Sequence, residues 1–146
     1  MKIIAILTSL VLLLSGCALI EKANTTLDYV NDSTAYVNDI QDYGTQLPQL
    51  IEQAATSPQS AEQLVNKLGE MKDKALQFNE LKVPALASDL HNTISGYNET
   101  LVSEIDGIVN RIEAKTMDFQ SLLDSPLMQT IEKINQTLNL ITALGQ

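Results

Sequence analysis

The chain has 146 residues, of which 45% are apolar and 4% aromatic with no Trp, a size that suits one domain around one core. Eighteen acidic side chains against nine basic ones leave a formal net charge of −9. Such a surface repels phosphate backbones, which argues against nucleic acid as a partner, and it weakens direct adhesion to anionic lipid headgroups.

Met1 and Lys2 precede an apolar run from Ile3 to Leu14 that only Thr8 and Ser9 interrupt. The run stops at two small residues, Ser15 and Gly16, followed by Cys17, the single cysteine of the chain. A positive start and an apolar stretch of about 12 residues have the form of a signal peptide. A membrane-spanning helix needs about 20 apolar residues, and this run is too short. Leu14-Ser15-Gly16-Cys17 resembles the lipobox of bacterial lipoproteins, in which the thiol receives diacylglycerol through a thioether and a signal peptidase cuts just before it. The resemblance implies a cleaved leader over residues 1–16, with Leu14, Ser15 and Gly16 as the peptidase recognition residues. It also implies a membrane-anchored domain over residues 17–146 that begins with a lipidated Cys17. Two acyl chains, at about 0.8 kcal/mol per buried methylene, make a stable anchor. With one cysteine no intrachain disulfide can form, so the fold depends on packing. No Ser/Gly-rich tether follows Cys17, which predicts a domain close to the membrane surface.

Four prolines, Pro48, Pro58, Pro84 and Pro126, punctuate the rest of the chain. Ser57-Pro58 and Ser125-Pro126 have the form of an N-cap serine followed by proline at the first helical position. The first predicted helix covers residues 20–47 with a bent extension to 55. The second covers 58–81 with a seam of Leu64, Leu68, Met71, Ala75 and Phe78. The third covers 85–115 with a seam of Leu86, Leu90, Ile94, Tyr97, Leu101, Ile105, Ile108 and Ile112. The fourth covers 126–144 with Leu127, Ile131, Ile134, Leu138 and Ile141, and Gly145 marks its end. Spacings of three and four place each seam on one helix face, and nothing alternates with period two. Short connections then give an all-α, up-and-down four-helix bundle. The longer connection 116–125 carries Phe119, Leu122 and Leu123, which suit a helical turn capping one end of the bundle.

The first helix contains Tyr-Val-Asn-Asp twice, seven residues apart, and Tyr43 extends the tyrosine series. At 100° per residue, Asp28, Asp32, Asp39 and Asp42 share one sector, and Tyr29, Tyr36 and Tyr43 flank it. This predicts a graded face: aspartates in water, tyrosines at the boundary with their hydroxyls outward, Val30, Val37 and Ile40 in the core. The four aspartates and three tyrosines form the candidate interaction surface. A calcium site fits poorly, because the aspartates extend about 21 Å along a helix whereas calcium gathers six to eight oxygens from a folded loop.

His91 is the only histidine, and with one cysteine the usual parts of a zinc site or of Ser-His and Cys-His catalysis are missing. It reads as a surface or boundary histidine with Asp89 and Asn92 as neighbours. Glu70 and Lys74 have the spacing of an i,i+4 ion pair. The sequons at Asn24, Asn31, Asn98 and Asn135 read as helix-surface asparagines. No catalytic residue, metal site or cofactor is expected beyond the lipid on Cys17.

With "LSGC", "LDYVND" (Leu27 to Asp32), "VPALA" (Val83 to Ala87) and "YNETL" (Tyr97 to Leu101), the chain resembles a family of small uncharacterised lipoproteins from Bacillus-type Gram-positive bacteria. The resemblance covers the whole chain and implies a helical protein anchored on the extracytoplasmic face of the cell membrane. The functional expectation is a non-enzymatic interaction or scaffolding module with an unidentified envelope protein as partner. The alternative is a carrier module whose bundle holds a lipid or peptide.

Overall fold

The computed structural model describes the backbone from Lys2 to Gln146 and side chains from Asn24 onward. The described chain is helical: α1 (Lys2–Ala54), α2 (Pro58–Asn79), α3 (Ser88–Glu113), α4 (Pro126–Gln136) and α5 (Leu138–Leu144), with 3-10 turns at Ala85–Ala87 and Gln120–Leu122. Among the described residues, no helix is long and apolar enough to cross a membrane. The leader and the lipobox residues Leu14, Ser15, Gly16 and Cys17 lie outside the described side chains.

α1 continues through Pro48 to Ala54. An interior proline costs a helix about 3 kcal/mol, and here Leu47, Ile51 and Ala54 are all buried around it. Each fully buried Leu or Ile contributes about 1.5–3 kcal/mol, so packing outweighs the lost hydrogen bond. The α2 start matches its sequence signature. Ser57 is extended at φ −152° and ψ 147°, its Oγ accepts the Ser60 N–H at 3.1 Å, and Pro58 follows. Ser125 holds the same place before α4, but its hydroxyl makes no capping bond.

α2 lies antiparallel to α1. Tyr36 meets Phe78, Asp39 pairs with Lys74 at 2.7 Å, and the Lys67 ammonium sits 5.3 Å from the Tyr43 ring centre. α3 turns back again, tied to α2 by Lys72–Asp106 at 2.6 Å, and runs parallel to α1. α4 and α5 return along α1, where Gly44 faces Ile131 and Gly145 faces Val30. α1 and α3 each pack on α2 and on α4, so they occupy opposite corners of an up-and-down four-helix bundle.

Several helix limits differ from the sequence reading: α1 is helical from Lys2 and not only from residue 20, α2 ends at Asn79 and α3 at Glu113. The fourth helix is divided at Thr137, whose N–H and hydroxyl both bond the Ile134 carbonyl, at 3.0 and 2.6 Å. The helix restarts on the Thr137 carbonyl, which accepts from Leu140 and Ile141. α3 begins at Ser88 after the 3-10 turn, and three positions of its expected seam give way to the next residue, Leu86 to Ala87, Leu90 to His91 and Tyr97 to Asn98. Ala87, His91, Ile94, Asn98, Leu101, Ile105 and Ile108 are buried, whereas Leu86 is 72% exposed and Leu90, Tyr97 and Ile112 are half-buried. The connection before α4 does form the anticipated helical turn, with Leu122 buried and Phe119 and Leu123 packed against the core.

Candidate interaction site

The tyrosine row is not a surface. Tyr29 is 1% exposed and Tyr36 5%, and only Tyr43 is half-buried. The expectation of outward hydroxyls fails because α3 supplies polar partners inside the bundle. Tyr36 donates to the Asn98 Oδ1, and the Tyr29 hydroxyl lies 3.4 Å from His91 Nδ1. Both pairs are separated by 62 residues, so the seven-residue step from Tyr29 to Tyr36 matches the step from His91 to Asn98. The doubled Tyr-Val-Asn-Asp therefore builds two polar rungs across the bundle diagonal. At the same offset Tyr43 would meet Ile105, which offers no hydrogen bond, and Tyr43 instead lies beneath Lys67.

Asn98 and His91 make further contacts around the rungs. Asn98 Nδ2 donates to the Ala75 carbonyl at 3.2 Å and to Asn79 Oδ1 at 2.9 Å, which uses both amide donors. His91 stacks on Phe78, with ring centres 4.8 Å apart and planes 18° apart. His91 is thus 7% exposed and is no surface histidine; Asp89 and Asn92, its anticipated neighbours, are exposed. Burial holds the His91 imidazole below its ordinary pKa, and the Asn79 backbone carbonyl offsets part of that. The Tyr36 hydroxyl is pushed well up by burial, with Asn98 opposing. Asn98, read as a helix-surface asparagine, is fully buried. A polar pair at matching seam positions rejects slipped registers, because a slip leaves each partner buried and unpaired.

The aspartates remain on the outside. Asp28, Asp32 and Asp42 are exposed, and Asp39 pairs with Lys74. Glu70 does not pair with Lys74 but with Lys67, at 2.6 Å, because Asp39 takes the Lys74 ammonium across the α1–α2 groove. Exposed pairs of this kind stabilise by about 0–1 kcal/mol.

A largely apolar concavity lies at the other end of the bundle, about 45 Å along α1 from Asn24. Its volume is about 680 Å³, and Ala54, Ala61, Val65, Ile112, Met117 and Phe119 form its apolar lining. Glu62, Glu113 and Lys115 stand at the same opening. The chain leaves α3 through a Schellman turn: Thr116 N–H bonds the Arg111 carbonyl at 2.9 Å and Lys115 N–H bonds that of Ile112 at 3.0 Å. Lys115 takes φ 57°, a left-handed position usually given to glycine. That turn sends Met117 and Phe119 back over the helix ends. The sequence marked Phe119 as a capping residue, but the alignment of Val65 with Ile112 and Met117 depends on the tertiary pairing of α2 and α3.

Residues 29–144 match a protein family described as a family of unknown function, DUF6376. The chain belongs to this family. The DUF6376 match starts at Tyr29, the first rung, and ends at Leu144, the last residue of α5, so it coincides with the bundle. The chain is also 30% identical over 148 aligned residues to the uncharacterized lipoprotein YybP of Bacillus subtilis (strain 168), with the whole of both chains covered. This agrees with the resemblance to Bacillus-type lipoproteins carried by "LSGC", "LDYVND", "VPALA" and "YNETL". No solved structure matches the chain.

Proposed function

We propose that this DUF6376 protein is an extracytoplasmic lipoprotein, held in the cell membrane by diacylglycerol on Cys17, and that it is a non-enzymatic interaction module. The relative's description as a lipoprotein and the Leu14-Ser15-Gly16-Cys17 sequence support the anchor. The observation that carries the interaction reading is the 680 Å³ apolar groove at the end of the bundle away from Cys17. A rigid bundle, fixed in register by its buried rungs, presents that groove away from the membrane toward an apolar segment of an envelope protein. Phe119 and Met117 supply adaptable contact area, and the surrounding carboxylates keep the opening hydrated when it is empty.

The test places a photo-reactive residue at Val65, in the groove, or at Asp32, on the acidic face, and cross-links in native membranes. A discrete protein adduct from position 65, lost on Phe119→Asp in a chain that keeps its helical circular dichroism, supports the reading. Adducts that form equally from position 32, or that survive Phe119→Asp, would refute it. Lipid co-purified at one molecule per chain, seen by native mass spectrometry, would also overturn it, in favour of a carrier.

A further inference from the structure

We propose that the loop joining α2 to α3 is a second membrane contact, in which Leu86 inserts into the interfacial layer of the same bilayer that holds Cys17. The inference rests on the lipid anchor proposed above. Leu86 is the most exposed large apolar side chain described, at 72%, and Ala85 beside it is exposed too. The rungs say where this loop lies. With α3 displaced by 62 positions from α1, Leu86 is level with Asn24, at the end where α1 arrives from Cys17. Leu27, about half exposed, is within one helical turn of that level.

From Cys17 to Asn24 the chain spans about 10 Å as helix and about 25 Å at full extension. Corners of a four-helix bundle lie about 14 Å apart across the diagonal when neighbouring axes are about 10 Å apart. A tilt of roughly 35° therefore brings the Leu86 corner down to the level of Cys17 when the intervening segment is helical. The loop's charges do not favour an electrostatic contact: Lys82, exposed, stands between exposed Glu80 and Asp89. The contact is apolar, and salt leaves it in place.

Because the thioether consumes the one native thiol, Leu86→Cys in the acylated full-length protein provides a unique labelling site. A polarity-sensitive fluorophore there is compared with one at Gln59→Cys, at the opposite end of the bundle, in vesicles of phosphatidylethanolamine and phosphatidylglycerol carrying a lipid-borne quencher. The expected result is blue-shifted emission at position 86, with quenching several-fold stronger than at 59 and unchanged by added salt. Absent quenching at 86, or equal quenching at both positions, would overturn the proposal. The intact mass of the same sample reads the anchor separately. Acylated protein without quenching defeats the loop contact alone, and protein without the acyl mass defeats the anchor and the contact together.

Discussion

Tyr36 and Asn98 are best tested as a pair, because each side chain is the other's reason for being buried. Tyr36→Phe removes the hydroxyl and leaves Asn98 Oδ1 inside the bundle without its donor. A buried polar group left unpaired costs about 1–3 kcal/mol, so a loss of about 2 kcal/mol is expected. Asn98→Leu strands the Tyr36 hydroxyl instead and also withdraws a donor from the Ala75 carbonyl and from Asn79. Asn79 is half-buried and regains water, so the loss is again about 2–3 kcal/mol. The double variant replaces both partners by apolar groups of similar shape and strands only secondary contacts, which predicts about 1 kcal/mol. The double loss thus falls about 3 kcal/mol short of the sum of the singles. Urea unfolding followed by circular dichroism reads this directly. With a slope of about 2 kcal/mol per molar, each single lowers the midpoint by about 1 M or slightly more, and the double by about 0.5 M. Single losses that add to within about 0.5 kcal/mol would refute the rung, since additivity is the behaviour of residues that do not interact.

Three further outcomes follow from the same geometry. The folded His91 pKa lies below the unfolded value of about 6.5, so the unfolded chain binds the proton first. The His91 contribution is complete above that pH and is lost as pH falls through it toward the folded value; His91→Phe should reduce the fall in unfolding free energy between pH 7.5 and 5.5 measured in urea. Glycine replacements on two helices should have opposite signs. Gly107→Ala, with nothing within 4 Å of an added Cβ, stabilises by about 0.5–1 kcal/mol, whereas at Gly44 the Cβ would meet Ile131 Cγ2 at 2.8 Å, and Gly44→Ala lowers the thermal midpoint despite its better propensity. Lys115→Gly relieves the left-handed backbone after α3 and should stabilise by about 1 kcal/mol, with a raised midpoint in thermal unfolding as the check.

The apolar periodicity was sufficient for the helices, their order and most of the core, because aliphatic residues at spacings of three and four have one economical use in a chain of this size. It misplaced part of the α3 seam for a physical reason. Counting apolar residues assigned Leu86, Leu90 and Tyr97 to the seam, whereas the buried positions include His91 and Asn98. His91 and Asn98 enter the core beside hydrogen-bonding partners that another helix brings, and nothing within α3 announces that Tyr29 and Tyr36 lie across the diagonal. The repeated Tyr-Val-Asn-Asp and the equal spacing of His91 and Asn98 both stand in the sequence, but the step that sets one seven-residue interval against the other is tertiary. The same step explains why the acidic sector of α1 stayed on the surface while its tyrosines did not. Aspartates are solvated wherever the helix leaves them, but a tyrosine enters when a partner is in register and otherwise lies along the groove, as Tyr43 does beneath Lys67. Once the rungs fix that register, the ends of the molecule acquire different characters. The end level with Asn24 shows Leu86 and Leu27, and the opposite end opens the groove lined by Val65, Met117 and Phe119. An anchor at Cys17 would give that polarity a direction, with the exposed leucines toward lipid and the groove toward the envelope.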